Sequence, residues 1–248
     1  PRTGRAPVLI VNGFDRLDRS LNIKDADGAE RGLLARMNTF DYSIAHAQAL
    51  SAALVDYDAT SDEAVSSGAV RLDGYQAVVW ILGRQGGEEG TLDAPQREAL
   101  RTYLGSGGAL LISGSELAYD LDYSKRAPGY LAETMKLRYV ADKASTNVAT
   151  GRAGTMFDGL ANVAFGDPKL YSNSGIYPVP YPDVLGVEKD GVAVMYYGAT
   201  NEVAAVRYEG QGRVVALGFP FESIVDPDQR AEVMRRAIEF LAPDAMAP

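Results

Sequence analysis

Ala77-Val78-Val79-Trp80-Ile81-Leu82 is a continuous apolar run, and it breaks at once into Gly83-Arg84-Gln85-Gly86-Gly87-Glu88-Glu89. An apolar run without polar alternation predicts a strand covered on both faces, as in a parallel sheet between helical layers. The glycine-rich polar stretch predicts a loop at the strand's carboxyl end. Two further runs repeat the pattern. Val8-Leu9-Ile10-Val11 leads into Asn12-Gly13-Phe14-Asp15-Arg16, and Ala109-Leu110-Leu111-Ile112 leads into Ser113-Gly114-Ser115-Glu116.

Helical signals lie between these runs. Asp93 with Pro95 and Gln96 forms a capping box, ahead of an inward face of Leu100, Tyr103 and Leu104. Asn38-Thr39 are N-cap types with Asp41 in the first turn, and Phe40, Ile44, Ala47, Leu50 and Leu54 recur at helical spacing, which predicts a buried stripe. Val55 to Ala59 is read as a second strand, and Arg19 to Arg31 as a surface loop. The middle, about 117–185, is rich in Gly, Pro, Asn and Tyr and predicts short strands and long loops. Val192 to Tyr197, Val203 to Tyr208 and Val214 to Phe219 read as three strands joined by glycine turns. Asp226-Pro227 opens a last helix, with Val233, Met234, Ala237, Ile238 and Leu241 inward. The expected fold is α/β: one three-layer, flavodoxin-like domain over 1–248, its sheet mainly parallel with an antiparallel C-terminal extension.

Composition narrows the function. The 248 residues are 46% hydrophobic, enough for a sizeable core. No apolar stretch approaches the roughly 20 residues needed to span a bilayer. Twenty-four basic against 33 acidic residues give a net charge of −9, which disfavours nucleic acid as a partner. With no cysteine there is no disulfide, thiolate metal site or cysteine nucleophile. Pro1-Arg2-Thr3-Gly4 has neither an initiator Met nor a signal core, which fits a processed chain or an excised domain, and scarce Lys points toward export.

In open α/β sheets ligands bind beyond the carboxyl ends of the strands. The expected rim is therefore Asn12 to Arg16, Gly83 to Glu89, Ser113 to Glu116 and Gly218 to Glu222, with Asn12, Arg16, Arg84, Gln85 and Glu222 as substrate-binding candidates. Ser115 sits at a strand-turn position suited to a nucleophile, although the full G-x-S-x-G pattern is absent because Leu117 follows Glu116. His46, the one histidine, is the candidate base, with Glu116, Asp41 or Asp15 assisting. The competing reading makes Ser115 a turn residue and His46 a packing or surface histidine. No cofactor is expected and no transition metal. Oxygen-rich clusters such as Asp25-Ala26-Asp27-Gly28 could hold Ca²⁺ or simply be solvated loops.

Leu100 to Gly114 and Gly212 to Glu222 resemble the helix–Gly-Gly–strand unit and late strand of class I glutamine-amidotransferase-like and ThuA-like domains. Val11 to Arg16, Asn38 to Tyr42, Trp80 to Gly83 and Ser113 to Glu116 resemble a domain of exported bacterial multidomain proteins that carry golvesin-like modules and xanthan-lyase or N-acetylmuramoyl-L-alanine-amidase labels. That resemblance implies a secreted or periplasmic, hydrolase-like domain acting on cell-envelope glycan or peptide, alongside other domains. Amidotransferases place Cys where Ser115 stands and use a later His that this chain lacks, so glutaminase chemistry is excluded. The alternative is a non-catalytic carbohydrate- or protein-binding module, with Tyr119, Tyr123, Tyr130, Tyr171, Tyr177 and Tyr181 available to stack on sugars.

Overall fold

Each continuous apolar run becomes a strand because burial on both faces removes its whole surface from water. In this computed structural model, which describes residues 6–17, 23–24, 30–31, 41–166, 177–198 and 200–246, β1 (Val8–Asn12), β5 (Ala77–Gly83) and β6 (Ala109–Gly114) are buried at every position. Two short strands, β2 (Ile23–Lys24) and β3 (Glu30–Arg31), pair within the stretch read as a loop. β4 (Tyr57–Ser61) lies two residues beyond the expected second strand. The order β4-β1-β5-β6 is parallel throughout and continues to β13 (Arg213–Leu217), also parallel to β6. The sheet then turns antiparallel through β12 (Glu202–Glu209), β11 (Gly191–Tyr197), β8 (Val148–Gly151) and β9 (Val163–Ala164). A branch adds β10 (Val184–Val187) beside β12, and β7 (Leu137–Ala141) beside β10. The mainly parallel sheet with an antiparallel C-terminal extension is as expected.

Helices cover both faces. α1 (Tyr42–Ala52) and the last helix, α5 (Pro227–Leu241), pack on the face carrying Val8, Ile10, Val79 and Leu111. α2 (Asp62–Ser66), α3 (Ala94–Gly105) and the short α4 (Tyr130–Thr134) lie on the opposite side, with Leu9, Val11, Trp80 and Ile112. Alternation along each strand sorts these side chains between two cores. All five residues expected inward on α5 are buried.

The α1 stripe needs correction. Ile44 is 52% exposed and Leu54 is 90% exposed, and the buried residues are His46, Ala49 and Leu50. The helix ends at Ala52, so Leu54 leaves it in a left-handed conformation (φ 57°), and the inward face is rotated away from Ile44. The proposed caps Asn38 and Thr39, and Phe40, lie outside the described residues. Asp41 precedes α1 in a helical conformation and makes no side-chain capping bond.

The α3 capping box forms as read. Asp93 accepts from Gln96 N at 2.7 Å, and Gln96 Oε1 accepts from Asp93 N at 2.9 Å. Gln96 Nε2 then donates to Asp62 Oδ2 (2.9 Å), tying α3 to α2. Asp93→Ala is expected to cost about 1 kcal/mol, lowering Tm by about 2–4 °C in thermal denaturation followed by circular dichroism; an unchanged Tm would mean the box contributes nothing.

Candidate functional site

The chain leaves β1 for β4 on one side and later reaches β5 on the other, so strand order reverses at β1, and the carboxyl ends of β1 and β5 are the place where open α/β sheets form their ligand crevice. Gly13 makes the close approach there possible: its N donates to Ile81 O (2.9 Å), and a Cβ would lie 2.7 Å from Trp80 Nε1. Buried Gln85 closes the base of the crevice. Its Oε1 accepts from Asp15 N (3.2 Å) and Arg16 N (2.7 Å), and Arg16 Nη1 donates to Arg84 O (3.1 Å). Four of the predicted rim residues, Asp15, Arg16, Arg84 and Gln85, thus come together.

Glu116 joins them from the end of β6. Its stem lies against Gly86, where a Cβ would sit 3.1 Å from the Glu116 Cβ. Burial pushes the Glu116 carboxyl up to about 7; Asp142 adds to the rise, and Arg16 and Arg84 oppose it. Asp142 is itself raised by burial. Beyond Glu116 the chain forms a wide helical turn, Tyr119–Tyr123, whose start is anchored by buried Asp183, accepting from Ala118 N (2.7 Å) and Tyr119 N (3.2 Å). Tyr119 and Tyr123 stack at 5.1 Å, and Tyr139 of β7 closes on Tyr123 at 5.2 Å. Tyr123 is 60% exposed, and Tyr139 feels the charge of Asp142. A tyrosine platform therefore adjoins the carboxylates and arginines.

Ser115 and His46 are not joined by a hydrogen bond. Ser115 is buried, and its Oγ has the Gly83 carbonyl as its partner at 3.5 Å, the outer limit of a hydrogen bond. His46, also fully buried, donates from Nδ1 to Tyr42 O (3.0 Å), which leaves Nε2 as a bare acceptor. Its neighbour is Glu222, with Oε2 at 3.9 Å from Nε2. Tyr177 donates to Glu222 Oε1 at 2.5 Å. Burial lowers His46 to about 4 and raises Glu222 to about 7, so the pair is not an ion pair at neutral pH. A proton on Glu222 Oε2 faces the Nε2 lone pair, matching two atoms that otherwise have no hydrogen-bond partner. Asn12 is buried on the same side of the sheet as Ile10, with Oδ1 unpartnered. Asp41 is exposed ahead of α1.

Several residues of the site were not picked out from sequence. Tyr139 and Asp142 come from an irregular region, and Asp62 and Glu63 follow β4, whose end was placed too early. Tyr130 and Tyr177 are buried rather than available for stacking. Tyr181 is exposed, with Lys143 Nζ 5.9 Å from its ring centroid. Tyr171 and Asp25 to Gly28 lie outside the described residues.

No protein-family profile and no curated protein matches the chain. Solved structures do. A ThuA-like protein from Bacteroides uniformis aligns with TM-score 0.53 and 9% identity over 98% of this chain and 96% of that one. A glutamine amidotransferase from Thermotoga maritima aligns with TM-score 0.50 and 12% identity over 98% and 100% of the two chains. A GH42 β-galactosidase from G. stearothermophilus aligns with TM-score 0.57 and 13% identity over 96% of this chain, which spans 30% of the galactosidase. At these identities the likeness is one of fold: the chain has the α/β fold of class I amidotransferase-like and ThuA-like proteins. Among the described residues no helix is long and apolar enough to cross a membrane.

The Glu222 carboxyl is raised in the fold from 4.5 to about 7, so its contribution to stability is complete below about 4.5 and fades as pH climbs through 7. Glu222→Gln, which carries no charge, should match the wild-type Tm near pH 5 and exceed it near pH 8. A Tm below wild type across the whole range would show that the charged carboxylate is the form the fold needs.

Proposed function

We propose that this chain binds saccharide at the carboxyl ends of β5 and β6. The observation that carries the proposal is the juxtaposition of the Tyr119–Tyr123–Tyr139 platform, in which Tyr123 is exposed and Tyr119 and Tyr139 are half-buried, with Glu116, Asp142, Arg16 and Arg84. Tyrosine faces suit the apolar C–H faces of sugar rings, and fixed carboxylates and guanidiniums suit their hydroxyls. Buried Gln85 fastens the loops that carry Arg16 and Arg84. The fold shared with part of a β-galactosidase agrees with a carbohydrate-associated module, at the level of fold. The sequence resemblance to exported proteins extends the proposal to a cell-envelope glycan met outside the cytoplasm, with other domains as neighbours.

Hydrolysis through Ser115 is the less favoured use of this site. It would require His46 to leave Tyr42 O and Glu222, and a base held at about 4 in the resting fold is poorly matched to neutral pH. If the site cleaves its ligand, the group suited to protonate a leaving oxygen is Glu116, held up at about 7.

A panel of β-linked gluco-, galacto- and manno-oligosaccharides and peptidoglycan fragments, titrated calorimetrically, tests the proposal. At least one class should bind, and Tyr123→Ala should weaken it by about three- to tenfold, the scale of one aromatic contact. Ser115→Ala should leave affinity within about twofold. Failure of every saccharide to bind would overturn the reading. Reducing-sugar release that disappears in Glu116→Gln would make the protein a glycosidase, and loss of turnover in both Ser115→Ala and His46→Ala would restore the serine mechanism.

A further inference from the structure

We infer that Asp15, Asp62 and Glu63 form a divalent-cation site, with Ca²⁺ as its ion, where β1 and β4 end. The inference is independent of saccharide binding. One oxygen from each carboxylate lies within 4.8 Å of the others. That span is about twice a Ca–O distance of roughly 2.4 Å, so a single ion can touch all of them. The donors are hard oxygens without nitrogen or sulfur, which suits Ca²⁺ or Mg²⁺ rather than zinc or copper.

A second observation separates this cluster from an ordinary acidic patch. Asp62 is 8% exposed, and its Oδ1 is buried without a hydrogen-bond partner. Gln96 Nε2 already holds Oδ2, so Oδ1 is the oxygen left for a ligand. Leaving such an atom unsatisfied costs free energy that a cation returns. Among the described residues, none of the three carboxylates is ion-paired with Lys or Arg.

Two of the ligands are held in place by groups outside the cluster. Gln85 Oε1 fixes the Asp15 backbone, and Gln96, itself locked in the α3 capping box, orients Asp62. Glu63 is exposed, so water can complete the shell from the solvent side. Asp15 and Asp62 are both pushed up by burial, and Glu63 adds to the rise in each. A bound ion would relieve that repulsion and tie the β1 loop to β4–α2. The shell left open to solvent beside exposed Glu63 favours Ca²⁺, which accepts irregular coordination, over Mg²⁺, which demands near-octahedral geometry.

The test is calorimetric titration of the whole chelator-treated chain with CaCl₂ and, separately, MgCl₂, alongside Tm measurements. One saturable Ca²⁺ site and a Tm that rises with Ca²⁺ are expected, with Mg²⁺ the weaker ion. Asp62→Asn and Glu63→Gln should each lose at least about tenfold in Ca²⁺ affinity, and Glu98→Gln on α3 should lose none. No saturable binding up to about 10 mM, beyond the weakest class of protein Ca²⁺ sites, would overturn the inference. So would variants that titrate like wild type. If Asp62→Asn fails to fold, the exposed Glu63→Gln decides the matter.

Discussion

β1 has a parallel neighbour on each side, β4 and β5, and the connections to them pass over opposite faces of the sheet. The chain leaving β1 runs to α1 on one face and the chain leaving β5 runs to α3 on the other, so the loops beyond the two strand tips diverge. Every feature of the site follows from that divergence. The Asp15-Arg16 loop and the Arg84-Gln85 loop face each other, and Gln85 fastens them through two backbone N–H groups while Arg16 Nη1 donates back to Arg84 O. β6 adds Glu116 on one flank and β4 adds Asp62 and Glu63 on the other, because parallel strands end on one edge.

Burial then decides the chemistry of that edge. Glu116, Asp62 and Glu222 are carboxyls that solvent would ionise well below neutrality, and in the fold each is held near 7. His46 shows the converse, an imidazole kept neutral because no water reaches it. With the imidazole neutral, the two groups at 3.9 Å avoid forming a buried ion pair, and a protonated Glu222 meets His46 with complementary donor and acceptor faces. Tyr42 O sets the tautomer from one side, and Tyr177 orients the carboxyl from the other.

The cluster beneath α1 also explains the rotated helix. Tyr42 stacks on Phe14 at 4.7 Å and meets Tyr177 edge-on at 5.4 Å, so aromatic packing holds the start of α1 over the end of β1. With Tyr42 inward, His46 and Ala49 follow at helical spacing, and Ile44 is turned to solvent. A count of apolar residues favours Ile44. Contacts that reach across the sequence favour His46.

From the sequence alone, the buried parallel strands, the glycine-broken tips, the α3 capping box and the α5 inward face were legible. Each depends on neighbours in the chain: an apolar run, a cap three residues from its partner, a repeat at helical spacing. The rim was legible as segments for the same reason, since strand ends can be read locally. What only the tertiary structure decided was pairing: His46 with Glu222 rather than Ser115, Gln85 with the β1 loop, Tyr139 with Tyr123, and Asp15 with Asp62 and Glu63. Those partners lie from 16 residues apart (Tyr123 and Tyr139) to 176 apart (His46 and Glu222), and burial and distance, which set their protonation, exist only once the sheet has brought them together.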